Sequence, residues 1–89
     1  MLIKLIEVHN VFSAPSIREL YVNTTSIVSI TEEVHSHILE ETKTLGFSNL
    51  TKFSSIIIQE GNRTRTVVVA HSPQEIYKKI DPSKTLLKG

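Results

Sequence analysis

Ser54-Ser55-Ile56-Ile57-Ile58-Gln59-Glu60, then Gly61-Asn62, then Arg63-Thr64-Arg65-Thr66-Val67-Val68-Val69-Ala70 is the stretch that decides the fold. Two β-branched runs flank a Gly-Asn pair, the local signature of a β-hairpin. A two-residue Gly61-Asn62 turn sets Glu60 opposite Arg63, an oppositely charged cross-strand pair. The same register puts Arg63, Arg65, Val67 and Val69 on one face and Thr64, Thr66, Val68 and Ala70 on the other. Directly afterwards comes Ser72-Pro73-Gln74-Glu75. Ser72 is suited to the N-cap, Pro73 to the first helical position, and Glu75 to the return bond of a capping box. The helix runs from Pro73 to about Ile80, before Pro82 stops it. Ile76 and Ile80 lie four apart with Tyr77 beside them, and Glu75 and Lys79 form an i,i+4 pair in the favourable order. So short a helix is unstable in isolation, so it docks Ile76, Tyr77 and Ile80 on the sheet or on a partner.

Working outward toward the N-terminus, Leu2 to Val8 is apolar on both faces, which suits a central strand. Residues 10–19 are rich in turn formers, and Pro15 argues for a connection rather than a strand. Leu20-Tyr21-Val22 and Ile27-Val28-Ser29-Ile30 bracket Asn23-Thr24-Thr25-Ser26, giving two short strands through a bend or one strand broken by a bulge. Residues 31–45 carry Val34, Ile38 and Leu45 at helical spacing behind a Glu-rich start, with Gly46 placed to end a helix. A long β-connection is the competing reading, because Val, Thr and His are poor helix formers. The expected fold is α+β: a small, mostly antiparallel sheet of about four strands with the C-terminal helix packed on it and a possible extra helix at 31–45. Residues 1–82 make a single domain. Residues 83–89 form a mobile tail unless Leu86 and Leu87 find a groove.

Eighty-nine residues with five aromatics, no tryptophan and no cysteine bound the core. Such a chain buries about 60–65% of its unfolded surface, with no disulfide or thiolate metal site to supplement it. Small domains of this kind gain stability by oligomerising, so a homodimer is expected. No stretch reaches the roughly 20 apolar residues of a membrane span, and the opening residues lack the regions of a signal peptide. A cytoplasmic location, in a bacterial cell or a phage-infected host, follows as the expectation. The sequons at Asn23, Asn49 and Asn62 are then chance matches. The net charge of +1 is uneven, with −3 in residues 1–44 and +4 in residues 45–89. Two mutually attracting halves explain this as well as a polyanion-binding face does.

The chemistry-bearing residues point away from catalysis. His35 and His37 would share a face on a strand, but no cysteine or aspartate nearby completes a metal set, and surface histidines are the plainer reading. Glu32-Glu33 and Glu40-Glu41 need a pocket to act as acid and base, and a thin core offers little room for one. No Gly-x-Ser-x-Gly elbow or phosphate-binding glycine loop occurs, since the glycines stand at 46, 61 and 89. No catalytic residue, metal or cofactor is assigned. The basic set Lys52, Arg63, Arg65, Lys78 and Lys79 is the candidate nucleic-acid surface, with Tyr21, Phe53 or Tyr77 available to stack on bases. Ordinary solubilising charge is the alternative. Ile76, Tyr77 and Ile80 are the candidate protein interface.

Leu2-Ile3-Lys4-Leu5, Leu20-Tyr21-Val22-Asn23 through Ile27-Val28-Ser29-Ile30, Ile56-Ile57-Ile58-Gln59-Glu60-Gly61 through Val67-Val68-Val69, and Ser72-Pro73-Gln74-Glu75-Ile76-Tyr77 together cover about half the chain. This order of segments resembles the small FlbD/SwrD-like proteins, flagellar and phage-encoded. The longer connections at 9–19 and 31–52 and the residues from Pro82 onward depart from the family's pattern. Residues 70–80 also resemble the strand–helix end of the RNA-binding carbon-storage regulators. The resemblance to the FlbD/SwrD-like proteins implies a non-enzymatic role through protein contacts. The function expected is thus a small binding or regulatory protein. The alternative is an RNA-binding regulator, or a phage-encoded inhibitor of a host ribonuclease, toxin or defence factor.

Overall fold

A computed structural model describes residues 1–11, 14–34, 45–47 and 50–81. The elements are β1 (Leu2–Val11), β2 (Ala14–Asn23), a 3-10 turn (Thr24–Ser26), β3 (Ile27–Glu32), β4 (Ser54–Glu60), β5 (Arg63–Val69) and one helix, α1 (Pro73–Ile80). The strands form one antiparallel sheet in the order β2-β1-β5-β4-β3. The α+β expectation holds, with five strands where about four were expected.

The additional length comes from β1 and β2. Their pairing runs without interruption from Leu2 opposite Asn23 to Val11 opposite Ala14. The turn-rich composition of residues 10–19 therefore misleads, and Pro15 sits within β2. Ala70 N–H donates to the Ile6 carbonyl, so the backbone groups of Ile6 face β5. In an antiparallel pair alternate residues turn their backbone groups to alternate sides. Glu19, opposite Ile6, and Pro15, four positions along, turn theirs to the outer edge. Proline's missing N–H costs no ladder bond there.

The hairpin of β4 and β5 has the register read from the sequence, with Glu60 opposite Arg63. Gly61 takes φ +62°, a left-handed conformation that glycine adopts at little cost. The ion pair forms diagonally, between Arg65 Nε and Glu60 Oε1 at 3.0 Å. Along β4 and β5 the inward positions Ser54, Ile56, Ile58, Val67 and Val69 are buried. They meet Ile3, Leu5, Val22 and Ile76 in one core, with Leu20, Ile27, Ile30 and Ile80 packed against it. Leu5, Ile56, Val69 and Ile76 are wholly inaccessible, and each such burial contributes about 1.5–3 kcal/mol.

The connection from β2 to β3 shapes the sheet. These strands are its two edges. Flat, they would stand four spacings or about 19 Å apart. Asn23 and Ile27 are separated by only the 3-10 turn, which limits their Cα atoms to within about 14 Å. The sheet must curl toward an open barrel at that corner. Asn23 Oδ1 accepts from Thr25 N at 3.2 Å and Thr25 Oγ1 at 3.0 Å, and Thr24 N–H donates to the Met1 carbonyl at 2.9 Å, which pins the turn.

The capping box of α1 is complete. Glu75 N–H donates to Ser72 Oγ at 3.1 Å, and Ser72 N–H donates to Glu75 Oε1 at 3.0 Å. Of the helix expected at 31–45, Thr31 and Glu32 belong to β3, and residues 35–44 lie outside the described residues. Leu45 and Gly46 form a turn, with Gly46 at φ +86°. His35, His37 and residues 82–89 also lie outside the described residues.

Candidate interaction surface

The two sheet edges are unequal. β3 is six residues long, slips register between Ile27 and Ser29, and lies near α1. Bulges and short length both discourage further pairing. β2 is ten residues long and pairs without a slip to β1. Among the described residues nothing pairs with its other side. By the alternation fixed at Ile6, the residues whose backbone groups face out along this edge are Pro15, Ile17, Glu19, Tyr21 and Asn23. Ile17, Glu19 and Tyr21 offer both an N–H and a C=O, while Pro15 has no N–H and the Asn23 carbonyl caps the 3-10 turn.

The same residues share the outer face of the sheet. Ile17 is 50% exposed, Tyr21 60% and Leu2 65%. Ile17 stands opposite Val8, which stands opposite Val68, so an apolar row crosses three strands. Glu19 lies between the two large apolar residues of the edge, and Lys4 Nζ reaches its Oε2 at 3.2 Å. The hydrogen bond and charge of Glu19 raise the Lys4 pKa above its ordinary value.

The polar clusters of the interior are occupied structurally. Glu7 is almost fully buried, and Arg18 grips it with Nε–Oε1 at 2.8 Å and Nη2–Oε2 at 3.4 Å. His9 Nδ1 stands 3.9 Å from the same carboxylate. The Glu7 contact raises the Arg18 pKa. At the narrow join between β1 and β5, His71 Nε2 accepts the Ile6 N–H at 3.0 Å. A ring nitrogen that accepts is unprotonated, and burial lowers the His71 pKa accordingly. The buried Ser54 hydroxyl donates to the His71 carbonyl at 2.6 Å. Glu7, Arg18 and His71 carried no distinguishing pattern in the sequence. The inward phase of Ile3 and Leu5, continued to Glu7, was the one available signal for a buried carboxylate.

A depression of about 600 Å³ lies between the N-terminus of α1 and Phe47, Leu50, Thr51 and Lys52. Its charged lining and Ser72 are already engaged: Ser72 and Glu75 cap the helix, and Lys52 Nζ lies 3.7 Å from Glu32. Among the described residues, no three His, Asp or Glu side chains stand close enough to hold a metal ion. Among those residues, too, no helix is long and apolar enough to cross a membrane.

The basic residues are spread out. Arg65 is half-buried and tied to Glu60, while Arg63 is exposed at the hairpin tip. Six positions of β5, about 20 Å, separate Arg63 from Val69. Lys52 lies at the Val69 end, beyond Ser54. Lys78 and Lys79 occupy the last turn of α1. Of the expected protein interface, Ile76 is wholly buried in its own core and Ile80 packs against that core, so docking is intramolecular. Tyr77 remains 42% exposed. No protein-family model, curated protein or solved structure matches this chain.

Proposed function

We propose that this chain is a small, non-catalytic binding or regulatory protein of the cytoplasm that works through protein–protein contacts, by strand addition along β2, as a homo-oligomer. The long outward-facing edge of β2, with Ile17 and Tyr21 exposed along it, carries this reading. Added strands gain affinity from backbone hydrogen bonds and selectivity from alternate side chains, and β2 supplies both. The engagement of Glu7, Arg18, His71 and Glu75 in structural bonds supports a binding role over a catalytic one.

The RNA-binding alternative draws less support, because Lys52 and Arg65 face Glu32 and Glu60. Glu19→Pro tests the leading reading. It removes an edge N–H and leaves the β1–β2 ladder intact. The variant is expected to keep the wild-type circular dichroism spectrum and lose association. A variant that folds and associates like the wild type refutes strand addition at β2.

A further inference from the structure

We infer that the strand added to β2 is β2 of a second copy of this chain, antiparallel, with a two-fold axis beside Glu19. This rests on the reading of β2 as the working edge and names the occupant. In antiparallel pairing, opposite residues lie on the same face of the sheet. Outward-facing residues must therefore meet outward-facing residues, which leaves few registers. Centring on Arg18 sets the apolar Ile17 against the partner's Glu19 and Pro15 against the partner's Tyr21. Centring on Leu20 sets Glu19 against Tyr21 and Ile17 against Asn23.

Centring on Glu19 overlaps Pro15 to Asn23, nine of the ten residues of β2. It places Ile17 opposite the partner's Tyr21, twice by symmetry. Each is an aromatic–β-branched pair, a combination favoured on sheets. Both residues are half or more exposed without a partner. The facing pairs Ile17–Tyr21 and Glu19–Glu19 exchange both N–H···O=C bonds, since their backbone groups point out. The two Glu19 carboxylates meet at the axis, each with a Lys4 ammonium 3.2 Å away. The outer apolar row, Val68-Val8-Ile17, is then extended by one residue, the partner's Tyr21. The interface is isologous and closes as a dimer.

The absence of cysteine makes the register directly measurable. In this arrangement the two Glu19 Cα atoms stand about 5.5 Å apart, within the span of a disulfide. The two Ile17 positions are offset by about 13 Å, as are the two Tyr21 positions. Under mild oxidation Glu19→Cys should form a covalent dimer, while Ile17→Cys and Tyr21→Cys singly should not, and the double variant Ile17→Cys/Tyr21→Cys should. The unmodified chain should sediment as a dimer at high concentration, and its Ile17, Glu19 and Tyr21 amides should become protected as concentration rises.

Equal cross-linking at all three positions, or preferential linking at another, overturns this register. A monomer at every concentration overturns self-pairing. In that event, a peptide of residues 14–23 that protects the same amides leaves strand addition standing. No protection by that peptide removes both readings.

Discussion

Replacing His71 by alanine tests the weakest seam of the sheet. The register of β1 with β5 comprises Glu7 opposite Val69 and Val8 opposite Val68. Ala70 N–H to the Ile6 carbonyl at 2.8 Å and Ile6 N–H to His71 Nε2 at 3.0 Å extend it. Alanine leaves the half-buried Ile6 N–H without its acceptor. An orphaned donor costs about 1–3 kcal/mol, far more than an exposed side-chain bond. In a domain of this size each kcal/mol lowers Tm by roughly 4–8 °C, so a fall of about 5–20 °C is expected. The His71 side chain is only 14% exposed, and lost packing adds to the cost. His71→Gln separates the two effects, because its amide oxygen supplies an acceptor that does not titrate.

The pH dependence is the sharper readout. Burial is the main reason the His71 pKa lies below 6.5; Glu75 opposes that shift and Lys79 assists it. As pH falls the unfolded chain takes up the proton first, and stability then decreases. The contribution of His71 is full above pH 6.5 and is lost through the window beneath it, down to the folded-state pKa. Glu75, whose pKa lies below 4.5 because of the Ser72 bonds, adds its own loss only at lower pH. Urea unfolding from pH 7.5 to 5, wild type against variant, isolates His71 because the other groups cancel. A His71→Ala variant within about 0.5 kcal/mol of wild type, or one that keeps the wild-type pH slope in this window, would refute the assignment of this bond.

Two further outcomes follow from named contacts. Arg18→Ala removes the hydrogen-bonded cation from the buried Glu7 carboxylate and is expected to lower the urea midpoint, whereas Glu7→Leu with Arg18→Leu should recover most of that loss. Ser72→Ala removes the cap on α1 and should cost about 1 kcal/mol by chemical denaturation; an unchanged midpoint would show that the cap contributes nothing there.

The hairpin and helix were legible because their signals are local. Gly61-Asn62 fixes a turn, the turn fixes the register of β4 on β5, and Ser72, Pro73 and Glu75 begin a helix whatever surrounds them. The basic set was legible as residue types but not as a surface. Carboxylates distant in sequence or diagonal in register decide which cations are engaged, as Glu32 does for Lys52. The expected interface residues Ile76 and Ile80 show the same limit. An apolar helical stripe specifies that something must cover it and leaves open whether that is the chain's own sheet or another's.

The sequence by itself determined the β4–β5 hairpin, the capped helix, the central character of β1 and the small α+β class, because nearest-neighbour chemistry and period-two patterning suffice for each. The tertiary structure decided the rest. Only pairing with β1 over its whole length makes residues 14–23 a strand, since Pro15 and its polar neighbours have little strand preference of their own. Only the curl imposed by the short link from Asn23 to Ile27 decides how the two edges are arranged. Which edge is left unpaired among the described residues, and which carboxylate is buried, depend on backbone directions and distant partners that no local window of residues contains.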